Sequence, residues 1–308
     1  MASVEFPSRA YPQRRSPLTR TSPRRLRLGP GPLFVAPAII MLIGVLIVPI
    51  LTVLNSSVRV DGNLSGHITL RNYGEIFGEF GFSRTFVNTM VFTISSVVLH
   101  VVVGLPIALL LNCEVPCRKF FRIVTAIPWM LSSVVVAITW RWLYDAQFGV
   151  INDILRRLGL LTTLVDILGN PFLAMPAVLL ANLWRGFPFI TIIVLAALQS
   201  IPEEQYDAAA VDGATAVQAF THVTLPNITY ALLLAATLDA IFNFKYFDLI
   251  QVMTAGGPAG RTEVLTTLIY RSAFEAFDMG HATAMAGLMF VVSLGFALAY
   301  AWLVMRNA

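Results

Sequence analysis

The chain has 308 residues, of which 57% are hydrophobic and only 12% charged. Soluble domains carry roughly 45–50% apolar and about 25% charged residues, so polar groups here are too few to cover a soluble particle. The formal charge of +4 does not indicate nucleic acid, because seven of the 21 basic residues crowd into the first 27 positions as a tail.

Residues 1–32 are dominated by Arg, Pro and Ser, hold six of the 17 prolines, and read as a disordered tail. The apolar run that follows is longer than a leader's hydrophobic region and lacks a small-residue cleavage site, so it reads as a membrane span. Further stretches long enough to cross a hydrocarbon layer of ~30 Å recur along the chain. Six are expected, at about 33–54, 86–112, 120–143, 173–199, 228–252 and 281–304. The fold expected is all-α and polytopic, with 33–308 as one transmembrane domain. Residues 55–85, 144–172 and 253–280 are long, mixed connections, 113–119 is short and basic, and 200–227 is polar and rich in alanine.

Six spans put both termini on one side. The tail, Arg118, Lys119, Arg122 and Arg306 place eleven basic residues on that side. The other side has seven: Arg59, Arg71, Arg84, Arg156, Arg157, Arg261 and Arg271. The excess predicts cytoplasmic termini, and Trp140, Trp142 and Tyr144 are expected to close the third span as an aromatic belt.

The loop 200–227 reads SIPEEQYDAAAVDGATAVQAFTHVTLPN and contains no lysine or arginine. Pro202 followed by Glu203 and Glu204 fits a helix start, with acids where the macrodipole favours them. Ala208, Ala209 and Ala210 extend that helix, Gly213 allows a break, and Ala214 to Val223 predicts a second short helix that Pro226 stops. A helical hairpin on the membrane surface would present small side chains to a partner.

Asp207-Ala208-Ala209, then Gly213, Val223 and Leu225-Pro226, are spaced like the EAA loop of permeases in binding-protein-dependent ABC importers. Asp stands where that pattern has Glu, and Val where it has Ile. Asn72-Tyr73, Asn88-Thr89, Gln199 to Pro202, and Met253 to Pro258 with Thr262-Glu263 resemble the MalF-type branch, over roughly residues 33–305. The resemblance implies a type I importer fold in a bacterial inner membrane, with 200–227 as the segment that couples to the ATPase. It also implies a MalG-type second permease, two ATPase subunits and an extracytoplasmic solute-binding protein. The expected cargo is a sugar or a related solute such as a polyol phosphate. ATP hydrolysis falls to the partner chains, leaving this chain no enzyme and without a cofactor.

Ionisable groups at membrane depth are costly and face a cavity or a partner. Arg185 and Asp239 lie in the fourth and fifth spans, with Lys245 and Asp248 further along the fifth. Helical spacing sets Asp239, Asn243 and Tyr246 on one face, and Ile241, Lys245 and Asp248 on the opposite one. Together with Asn182, Trp184 and Arg185 they form a candidate solute pathway. The competing reading is an Asp239–Arg185 pair that only satisfies buried charge, and Lys245 with Asp248 reads as a structural pair. No P-loop lysine, H-E-x-x-H or G-x-S-x-G occurs. His67, His100, His222 and His281 are scattered, and Cys113 with Cys117 lacks the further ligands a metal needs. A gradient-driven transporter would need internal repeats, which the chain does not display.

Overall fold

The computed structural model describes residues 31–78, 80–114, 116–159 and 163–307. The expectation of a disordered tail falls on 1–30, outside these residues, and helix is already present at Gly31. Contacts divide the chain into Met1–Pro49 and Ile50–Ala308. The first unit holds α1 (Gly31–Leu42), a π turn (Ile43–Ile47) and the opening residues of α2 (Val48–Ser57). Its large apolar side chains from Phe34 to Val48 are exposed, which suits a helix whose solvent is hydrocarbon.

The second unit continues with α3 (Arg71–Gly78), α4 (Phe80–Asn112), α5 (Arg118–Met130), α6 (Ser133–Leu143), α7 (Val150–Arg157) and α8 (Ala174–Leu198). After these come α9 (Glu203–Val211), α10 (Ala216–Ala219), α11 (Leu225–Phe244), α12 (Asp248–Met253), α13 (Leu265–Tyr270) and α14 (Met279–Asn307). Five helices among the described residues are long and apolar enough to cross a membrane, and the bent pair α5–α6 makes a sixth when counted as one broken span. The chain is an all-α, multi-pass membrane protein.

Four details differ from the sequence reading. The third span is not one rod: α5 and α6 meet at 93°. Pro128 sits in the last turn of α5, and Leu131 then takes an extended conformation, which ends the helix. The fifth span ends at Phe244, where Lys245 leaves helical geometry and a separate helix, α12, follows. The hydroxyl of Thr266 donates to the carbonyl of Tyr246 at 2.8 Å, so this backbone acceptor inside the break is satisfied. Pro226 does not stop the second loop helix, and Ala216–Phe244 is helical throughout. Proline supplies no backbone donor, and the π turn Phe220–Thr224 just before it, with Asn227 donating to the carbonyl of Val223 at 2.7 Å, takes up the discontinuity. Finally, Tyr144 is not part of a belt. It is buried, and its hydroxyl donates to the carbonyl of Ala177 at 3.0 Å.

The helices that matter for function are α4, α8 and α11. Ser96 faces Asn182 and Gly104 faces Thr191, so α4 and α8 run parallel. Asn243 also meets Asn182, while Ile228 packs with Leu198, so α11 runs antiparallel to both. One apolar cluster (Leu111, Ile190, Val194, Leu198, Ile228) fills the end where α4 and α8 finish. A second (Phe92, Val136, Val178, Leu249, Ile250) fills the opposite end, and a third (Phe82, Phe244, Leu265, Met285) joins α14 to the rest.

The polar motifs at this opposite end fasten loops to helices. Asn72 donates to the carbonyls of Ser57 and Arg59 at 3.0 and 2.8 Å, and the Tyr73 hydroxyl donates to Ser57 at 2.9 Å. Asn88 donates to the carbonyls of Gly260 and Glu263, and Thr89 accepts the first N–H of α13 at 2.9 Å. Asp145, just beyond α6, accepts the N–H groups of Phe148 and Gln147, which hold its carboxyl below the usual range.

Candidate functional sites

The loop between α8 and α11 is ordered by its own polar groups. At the end of α9, the N–H of Ala214 reaches the carbonyl of Ala209 and that of Gly213 the carbonyl of Ala210. This double closure needs a left-handed residue, and Gly213 supplies it with φ +76°. No atom lies within 4 Å of where its Cβ would be, so glycine is needed here for backbone conformation and not for close approach within the chain. Thr215 and Gln218 form a reciprocal cap on α10. The Tyr206 hydroxyl meets Thr224 at 3.0 Å and Asn227 donates to Gln205 at 2.8 Å, so α9 is tied to the helix that returns.

Between the two arms lies a groove of about 450 Å³ lined by Ala208, Ala209, Gly213 and Val223. Asp212, Ala214, Gln218 and His222 also line it and lie outside the motif positions read from the sequence. Asp207 stands outside the groove, exposed, and takes part in none of the ion pairs among the described residues. Leu225 and Pro226 also lie outside it and begin α11.

The second site lies between the apolar cluster that α4, α8 and α11 share and the one that joins α4 and α8 to α6 and α12. His100 on α4 places Nδ1 2.7 Å from Oδ2 of Asp239 on α11 and Nε2 3.1 Å from the carbonyl of Asn182 on α8. The amide of Asn182 donates to Ser96 at 2.8 Å and to Asn243 at 2.7 Å, and the amide of Asn243 donates to the carbonyl of Asp239. All five residues are buried. Gly186 makes room for the imidazole: a Cβ there would sit 2.1 Å from Cε1 of His100. The alternative pairing of Asp239 with Arg185 is not among the ion pairs of the described residues; His100 is the carboxylate's partner instead.

This network forms the floor of a cavity of about 370 Å³, also lined by Arg185, Lys245, Tyr246, Trp129, Phe189 and Phe242. The Arg185 guanidinium lies 5.7 Å from the centre of the Tyr246 ring. Among the described residues, Nε of Arg185 and the hydroxyl of Tyr246 are buried without a well-formed hydrogen bond, and the two side chains interact with each other. Of the six residues assigned to a pathway, Asn182, Arg185, Asp239, Asn243 and Tyr246 share this cavity. Trp184 is absent from it and packs edge-on against Trp140 at 6.2 Å. Lys245 was placed on the opposite helical face, but the end of α11 at Phe244 turns it to the same cavity. Its expected partner Asp248 accepts instead from the hydroxyl of Ser133 at 2.7 Å. His100 and Gly186 escaped the sequence reading, although an ionisable residue within the second span was itself a signal.

Residues 84–307 match the family described as the inner membrane component of binding-protein-dependent transport systems. The trehalose/maltose transport system permease protein MalF of Thermococcus litoralis is 37% identical over 76% of this chain and 78% of its own. The sulfoquinovosyl glycerol transport system permease protein SmoG of Agrobacterium fabrum is 31% identical over 85% of this chain and 86% of its own. Among solved structures, a bacterial ABC transporter involved in the import of the acidic polysaccharide alginate matches with a TM-score of 0.76 and 26% identity. That match covers 89% of this chain and 94% of the other.

Proposed function

The chain belongs to the family of inner membrane components of binding-protein-dependent transport systems, and we propose that within it the polar cavity on α4, α8 and α11 is a station for a carbohydrate in transit. It is the permease subunit of an ABC importer, a transport protein of several membrane spans. The observation that carries the proposal is the cavity itself: amide, phenol and guanidinium groups converge at the centre of an otherwise apolar bundle. Such groups bond hydroxyls, and the rings of Trp129, Phe189 and Phe242 offer flat apolar faces to a sugar. Named relatives that serve trehalose/maltose and sulfoquinovosyl glycerol support the same class of cargo.

The finer assembly belongs to the same proposal. A second, MalG-type permease completes the pathway, and two ATPase subunits supply the energy. An extracytoplasmic binding protein delivers the solute to the α12–α13 end. The groove of the 203–225 loop receives the ATPase, so the loop and both termini lie in the cytoplasm, with the span bundle in the bacterial inner membrane. In a background lacking Cys113 and Cys117, Ala210→Cys should resist an impermeant thiol reagent in intact cells, while Phe148→Cys, at 88% exposure, should label. Labelling at residue 210 in sealed cells would reverse the orientation.

The cavity is tested by Tyr246→Phe. Among the described residues the hydroxyl removed interacts with the neighbouring Arg185 and meets no other hydrogen-bond partner, so thermal stability should change little. If it bonds the solute, about 0.5–1.5 kcal/mol is lost, and uptake at subsaturating solute should fall roughly three- to tenfold. Unchanged uptake would remove Tyr246 from the pathway.

A further inference from the structure

The charges around the cavity do not cancel. Nε2 of His100 faces a carbonyl oxygen, which only accepts, so this nitrogen carries a hydrogen. The 2.7 Å contact between Nδ1 and the Asp239 carboxyl needs a second proton between them, whichever group owns it. His100 and Asp239 together are therefore neutral, and Asp239 has no charge to spare for the cavity. Arg185 and Lys245 remain. Arg185 has a buried, unpartnered Nε and takes part in no ion pair among the described residues, and neither does Lys245. Asp248, the next carboxylate along the chain, accepts from Ser133 and does not line the cavity; its charge acts on Tyr246 and offsets at most one of the two cations. Lys245 is exposed and stands at the C-terminal end of α11, where the helix dipole favours a cation, so Arg185 is the less compensated cation.

We infer that the solute is anionic: a sugar or polyol carrying a carboxylate, sulfonate or phosphate, with its acidic group between Arg185 and Lys245. This rests on the cavity being the solute's route. An uncompensated guanidinium in a low-dielectric site favours a group that returns the missing charge, and its planar fork suits the oxygens of such acids. A neutral sugar would leave Arg185, whose Nε is buried, without a counter-charge at membrane depth.

The test measures direct binding to the purified complete transporter in lipid nanodiscs, without the binding protein. The probes are digalacturonate against neutral cellobiose, and glycerol 3-phosphate against glycerol. At least one acidic probe should bind tenfold or more tightly than its neutral counterpart at low salt, and the advantage should shrink as salt is raised. The first pair reports an acidic sugar and the second a phosphorylated polyol. R185Q should abolish the preference and R185K should keep it. Equal or tighter binding of both neutral probes, a preference that survives in R185Q, or no saturable binding of any probe would overturn the inference. Should R185Q fail to assemble, the wild-type comparison and K245Q, which should weaken the preference, still decide. Gene-dependent uptake of a neutral sugar alone would refute an anionic cargo while leaving the permease assignment in place.

Discussion

His100→Ala is expected to lower the stability of the permease by about 3–5 kcal/mol, the usual cost of removing one partner from a buried charged pair. The Asp239 carboxyl is only 4% exposed, and its oxygen has His100 as its partner. Without the imidazole it must be buried as a naked carboxylate or take up a proton, and the carbonyl of Asn182 loses its donor as well. The measurement is the thermal unfolding midpoint of the purified complex, alongside the amount assembled in the membrane. The double variant His100→Leu with Asp239→Leu should recover much of the stability, because two apolar side chains replace the pair without orphaning either member. A midpoint for His100→Ala equal to wild type would show that the pair does not hold α4 to α11.

The second large effect is expected at the loop. Asp207 is exposed and has no ion-pair partner within the described chain, so Asp207→Lys should leave the fold intact. If its carboxylate meets a basic group on the ATPase, the reversal removes a charge-assisted bond worth about 1.5–3 kcal/mol. That corresponds to about a ten- to hundredfold loss of ATPase retention in a pull-down, with uptake of solute falling in parallel. Gly213→Val acts by another route, forcing a β-branched residue into left-handed geometry at φ +76° and misdirecting the arm that follows. Wild-type retention and uptake in both variants would reduce the segment to a surface hairpin.

Much of the architecture was legible because its signal is additive along the chain. Apolar length fixed the number of spans, and the spacing from Asp207 to Pro226 located the loop. What was not legible depends on where helices end. The shared face of Asp239, Asn243 and Tyr246 assumed that α11 continues, and on that assumption Lys245 points away. One non-helical residue after Phe244 brings Lys245 to the cavity. The bend between α5 and α6 rests on Leu131 adopting extended geometry, which the apolar run through it does not announce. The His100–Asp239 pair joins residues 139 apart in sequence, and neither residue's neighbours announce the other. The lining of the loop groove by Asp212 and His222 likewise depends on how α9 folds back onto the returning arm.

The unbroken helix from Ala216 to Phe244 has a mechanical consequence. Its 29 residues make a strut about 43 Å long, from the arm beside the loop groove to the floor of the cavity. Asp239 and Asn243 ride on its far end, and Lys245 sits at the joint where it stops. A tilt imposed on the near end must move the cavity's carboxylate and amide relative to α4 and α8, unless the π turn at Phe220–Thr224 absorbs it. On the proposed roles of the loop groove and the cavity, force and cargo would meet on one piece of backbone, and the stiffness of that single turn would set how much of the stroke reaches the solute.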